Sequence, residues 1–121
     1  MLWFGMVSLS IRVDLSPSEA IGPGKIRLLE AIEETGSISA AARTMDMSYR
    51  RAWLLVDELN RTFREPVAVT AQGGRSGGGA HLTPFGKRLV SGYRRMETEA
   101  MKAVGGYLSM VRDAAARKTA R

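Results

Sequence analysis

The run Ser48-Tyr49-Arg50-Arg51-Ala52-Trp53-Leu54 places two guanidinium groups just after a serine that offers a helix cap. Set at helical pitch, Ala52, Val56, Leu59 and Phe63 fall within one narrow arc, flanked by Leu55 and Tyr49, and form the expected core face. Opposite that arc lie Arg50, Leu54, Asp57 and Arg61, with Trp53 and Arg64 toward one edge. Cations in the first turn oppose the helix macrodipole, so a purely structural design would not put Arg50 and Arg51 there. A polyanion reverses that sign, because the helix start and both guanidiniums then face phosphates or guanine edges. The plain alternative is a solvated helix face. Leu54 points away from the core and meets either a thymine methyl or a partner protein. Trp53 reads as edge core or as a groove contact; we place it in the groove with Ser48, Tyr49, Arg50 and Arg51.

Other chemistry is scarce. The chain has no cysteine and one histidine, His81, which leaves no disulfide, thiolate metal site, thiol nucleophile or multi-histidine metal site. No acid–base or nucleophile constellation can be assembled from that inventory, so we expect no enzyme, no cofactor and no metal. His81 reads as a packing or surface residue. The loop Gly73-Gly74-Arg75-Ser76-Gly77-Gly78-Gly79 lacks the lysine and following helix of a phosphate-binding loop. It suits a mobile hairpin tip that lets Arg75 approach a phosphate backbone.

Charge supports this placement. Eighteen Lys and Arg against twelve Asp and Glu give a net charge of +6. From Arg43 to Arg95 there are ten basic residues and four acids, a surplus equal to that of the whole chain. The excess therefore sits in the segment holding the arginine-led helix and the glycine-rich loop, which says more than the pI of about 10.3.

The elements that must position these groups follow from periodicity. Residues 9–15 alternate apolar and polar, with Leu9, Ile11, Val13 and Leu15 on one side, which predicts a half-buried strand. A helix is expected from about Lys25 to Thr35, stopped by Gly36. Ser37 caps a short second helix through Met45, and Ser48 caps a third that runs to about Arg64 before Pro66. Val67 and Val69 read as one strand and Ala80-His81-Leu82 as its hairpin partner. Thr83-Pro84 starts a fourth helix. Its residues Leu89, Tyr93, Met96, Ala100, Ala103 and Tyr107 keep a heptad-like seam that continues through Met110 and Ala114. We read that seam as a dimer interface, with a kink or break at Gly105-Gly106. The apolar opening Met1–Val7 has no basic leader and is too short to span a bilayer, so a cytoplasmic protein is expected.

Helix, short helix, turn and helix followed by a glycine-rich hairpin is the order of a winged helix-turn-helix. Three blocks sharpen this: Gly36-Ser37-Ile38-Ser39-Ala40-Ala41-Ala42, Met47-Ser48-Tyr49-Arg50-Arg51-Ala52-Trp53, and Gly77-Gly78-Gly79-Ala80-His81-Leu82-Thr83-Pro84-Phe85-Gly86. Together they resemble the N-terminal DNA-binding domain of the ModE family of molybdate-responsive transcriptional regulators, and more distantly the winged helix of LysR-type regulators. The resemblance covers roughly residues 23–100. It implies a homodimer joined by long helices, the helix from Ser48 in the major groove, and the hairpin as a wing. Asp46 stands in the turn where such motifs usually carry glycine; aspartate tolerates the left-handed conformation better than most residues. The chain ends where the family's oxyanion-binding domains would begin, so any effector is expected to act through a separate subunit or site.

The resulting expectation is a mainly α fold with a small β-hairpin wing. Residues 1–83 form the winged helix-turn-helix, 84–116 a long dimerisation helix and 117–121 a basic tail, all in one structural domain. The expected partner is a pseudo-palindromic DNA duplex, with molybdenum-related genes among the possible targets. Ser48, Tyr49, Arg50, Arg51 and Trp53 enter the groove and Arg75 serves the wing; Ser37, Ser39 and Lys87 are assigned to phosphates. The alternative is a protein-interaction module on the same fold, with Trp53 and Leu54 as its patch.

Overall fold

The computed structural model describes residues 2–4, 7–71 and 79–119. Two short hairpins open the chain: β1 (Leu2–Phe4) with β2 (Val7–Leu9), and β3 (Val13–Ser16) with β4 (Glu19–Ile21). Three helices follow, α1 (Pro23–Thr35), α2 (Ile38–Thr44) and α3 (Tyr49–Thr62). The antiparallel wing strands β5 (Ala68–Thr70) and β6 (Ala80–Leu82) lead into α4 (Pro84–Thr119). This is a winged helix-turn-helix extended by a long C-terminal helix.

The single strand expected over residues 9–15 is divided. β2 ends at Leu9, and β3 starts at Val13 and turns through Pro17 to pair with β4 in the register Val13↔Ile21. Val13 and Leu15 are exposed, so the period-two pattern did not mark a buried face there. Ile11 instead supplies a tether: the buried Tyr93 hydroxyl donates to its carbonyl at 2.6 Å. β4 joins the third helix through Glu19, which accepts from Thr62 Oγ1 at 2.5 Å.

The core lies where α1, α2 and α3 converge on the wing strands. Ile26, Leu28, Leu29, Ile32, Ala41, Ala52, Leu59 and Val67 are among its closed-off side chains. Local signals set the ends. Gly36, at φ 79°, returns its N–H to Ile32 O at 2.8 Å, and Ser37 and Ser48 accept from the N–H of Ala40 and Arg51. After α2, the Asp46 N–H bonds Arg43 O and the Met47 N–H bonds Ala42 O, the paired bonds of a Schellman stop. Asp46 itself has φ 54°, the left-handed backbone expected at that turn. Glycine holds this conformation without a Cβ penalty. We therefore expect Asp46→Gly to stabilise the fold by about 0.5–1 kcal/mol and Asp46→Val to destabilise it by about 1–2 kcal/mol, read by chemical denaturation.

The wing is bolted to the helices by polar groups. Asn60, near the end of α3, accepts from the Val67 and Ala68 N–H groups and donates to Ala68 O at 3.0 Å. Glu33 accepts from the Leu82 N–H at 3.0 Å, and Ala80 N–H donates to Gly36 O at 2.8 Å. Arg94 crosses from α4 to α1 with a two-pronged pair to Glu30, 2.7 and 3.0 Å, and also binds the buried Glu97 at 2.7 Å.

The fourth helix departs from expectation twice. It runs without a break through Gly105 and Gly106 to Thr119, so residues 117–119 of the expected tail are helical. A Cβ at Gly106 would meet nothing within 4 Å. Gly106→Ala should therefore raise stability by about 1 kcal/mol in thermal unfolding, unless another chain packs closely against that turn. The seam also changes role along its length. Leu89, Tyr93 and Met96 pack against the protein's own core, with Tyr93 only 4% exposed. Tyr93 is closed off by the protein's own fold, while Leu89 and Met96 stay half-buried. Further along, Ala100 is half-buried, while Ala103, Tyr107 and Met110 are exposed.

Candidate nucleic-acid interface

The outward face of α3 carries most of the predicted groove residues. Ala52, Val56 and Leu59 are buried on the opposite side. That burial fixes the helix rotation and turns Tyr49, Arg50, Arg51, Trp53 and Leu54 to solvent. Trp53 is 44% exposed and Tyr49 is 55% exposed, so neither serves as core; the edge-core reading of Trp53 and the core-flanking reading of Tyr49 are both corrected. Phe63 instead closes the end of the helix, edge-on to Phe85 at 5.2 Å between ring centres.

Charges on this face are differently committed. Arg61 pairs with Asp57 one turn away at 3.1 Å. Glu58 is taken by Lys25 at 3.2 Å. Arg50 and Arg51 form no ion pair among the described residues. Two adjacent guanidiniums with no ion pair among the described residues, on the first turn of a helix, repel each other and the dipole, and a nearby anion would relieve both. A shallow cleft of about 310 Å³ lined by Ser48, Arg50, Arg51, Leu54, Leu55 and Glu58 lies beside them, with Glu58 committed to Lys25.

The remaining expected contacts are distributed around this helix. The Ser48 and Ser37 hydroxyls accept backbone N–H groups at 3.1 and 3.0 Å, which makes both caps first, with the hydroxyl hydrogen left over as a donor. Ser39 is exposed on α2 and accepts from Arg43 at 3.2 Å. Lys87 leans on Glu33 at 3.4 Å. The Leu82 N–H, with help from Lys87, holds that carboxyl below its usual range despite the opposing effect of desolvation. Arg75 lies outside the described residues, as does the loop from 72 to 78. His81 is exposed on β6 opposite Val69.

Sequence reasoning missed the groups that aim the interface. Asn60 and Glu33 bind the wing strands from α3 and α1, at sequence separations where no local pattern reports a partner. Thr83 gave a signal only as a helix cap: its Oγ1 accepts the Gly86 N–H at 3.0 Å and also donates to Pro66 O at 2.7 Å, locking α4 to the start of the wing.

Residues 24–87 match the model for bacterial regulatory helix-turn-helix proteins of the lysR family. The chain is also 44% identical over 92 residues to the molybdenum transport protein ModE of Azotobacter vinelandii, covering 76% of this chain and 34% of that one. It is 44% identical over 85 residues to the molybdenum-pterin-binding protein MopA of Rhodobacter capsulatus, covering 70% and 32%. It is 42% identical over 81 residues to the transcriptional regulator ModE of Yersinia pestis, covering 67% and 31%. The chain thus spans about a third of the length of these relatives.

Proposed function

Because the chain belongs to the lysR family of bacterial regulatory helix-turn-helix proteins, we propose that it is a DNA-binding transcriptional regulator that lays α3 in the major groove. The outward arginines Arg50 and Arg51, exposed and without an ion pair among the described residues, carry this reading. Ser48, Tyr49 and Trp53 share the groove surface. Ser37, Ser39 and Lys87 flank it toward the phosphates, and Arg75 extends the contact from the wing. Two copies associate through the outer half of α4, where Ala103, Tyr107 and Met110 continue the apolar stripe past the end of the core. The operator is then a pseudo-palindrome with half-sites about one helical turn apart. The names of the relatives favour molybdenum-related target genes.

Selection of bound sequences from a random duplex pool tests this reading, because it reports base preference and half-site spacing together. Affinity should fall steeply with salt, by roughly 0.9 in the log–log slope for each phosphate neutralised. A second reading, a protein-interaction module, draws on exposed Trp53 and Leu54. It predicts no duplex binding even at low salt, and that result would displace the regulator reading.

A further inference from the structure

Beside the outward face of α3 lies a second concavity of about 480 Å³, between the β3–β4 hairpin and the start of α1. Among the described residues its charged lining consists of Arg12, Lys25 and Arg51, with no carboxylate. Arg51 and Leu55 also line the cleft at the tip of α3, so the two depressions form one continuous surface. The three cations are unequally neutralised. Lys25 is satisfied by Ala20 O at 2.8 Å and by Glu58. Arg51 has no ion pair among the described residues. Among the described residues Arg12 pairs only with Asp14, in a bridge exposed on both sides, an arrangement that contributes little and gives way readily to a competing anion.

Arg12 is also mounted rigidly. It follows Ile11, whose carbonyl is held by the buried Tyr93 hydroxyl, and the adjacent hairpin is tied to α3 through Glu19 and Thr62. A cation on an anchored connection loses little backbone freedom when it meets a ligand. We infer that Arg12 is a backbone-phosphate contact for the duplex that α3 reads, extending the footprint from the recognition helix onto the N-terminal hairpin. This rests on the DNA-binding reading above. It assigns to the segment before the helix-turn-helix a part in affinity but none in base preference, because Arg12 meets only phosphate.

The test compares the full chain with Arg12→Ala, Arg12→Lys and Asp14→Asn, on a selected duplex and a scrambled one across a salt series. Arg12→Ala should lose about tenfold in affinity on both duplexes, with a salt slope shallower by about 0.9. Arg12→Lys should keep that slope, because the charge is retained. Asp14→Asn should tighten both duplexes by severalfold, because it frees Arg12 from the carboxylate it is bridged to. Unchanged affinity and slope for Arg12→Ala, in a chain that binds and discriminates duplexes, overturns the hairpin contact alone. Absence of salt-dependent binding by the unmodified chain removes the DNA reading and this contact together.

Discussion

Gly86→Ala should cost about 4 kcal/mol or more, enough to leave a marginally stable domain largely unfolded. Gly86 occupies the first turn of α4, and a Cβ built there would lie 2.0 Å from Val67 O and 2.9 Å from Val67 C. The obstacle is backbone that has no room to retreat. Val67 O already accepts from the Thr83 N–H at 3.0 Å, the Val67 N–H is held by Asn60 at 2.7 Å, and the Val67 side chain is fully buried. Relief would require α4 to lift off the wing, which would break the Thr83 contacts and tilt the wing against the outward face of α3. Gly92→Ala is the control. It lies on the same helix with nothing within 4 Å of its Cβ, and should be neutral or stabilising by up to about 1 kcal/mol. Thermal unfolding of the pair decides the matter: equal stability of the two variants would mean that the close approach to Val67 is not real.

That close approach marks the boundary between what local pattern reveals and what it hides. Short-range chemistry was legible: the Ser37, Ser48 and Thr83 caps, the Gly36 stop and the left-handed Asp46 each depend on neighbours within four residues. So was the apolar arc of α3, because its period matches the helix. The residues 9–15 misled because alternation records which side chains are apolar and not which partner strand covers them; β4 pairs only with the second half. The seam of α4 is ambiguous in a related way. A heptad-like stripe has the same spacing whether it faces its own core or a second chain, and Leu89, Tyr93 and Met96 found the former. Gly105 and Gly106 did not break the helix, which runs through both to Thr119. Asn60, Glu33 and Arg94 gave no signal at all: each acts on a group brought near only by the finished fold, Glu33 and Arg94 across 49 and 64 residues.

Arg50→Ala should weaken binding to the preferred operator by about 1–3 kcal/mol and flatten base preference at one position of each half-site. The side chain stands on the exposed first turn of α3, away from the buried Ala52, Val56 and Leu59, so its removal leaves the core intact. It has no ion pair to lose among the described residues, and its deletion relieves repulsion from Arg51 and the helix dipole. Stability should therefore hold or rise slightly while affinity falls, a combination that a structural role for Arg50 does not produce. Arg75→Ala provides the contrast, since a wing contact to phosphate weakens every duplex alike and leaves preference unchanged. Competition binding with a matched and a mismatched duplex separates the two: Arg50→Ala should narrow the ratio between them, and Arg75→Ala should lower both affinities at constant ratio. Equal losses on every sequence for both variants would show that Arg50 meets only the backbone, and would move the reading of bases to Tyr49, Trp53 and Leu54.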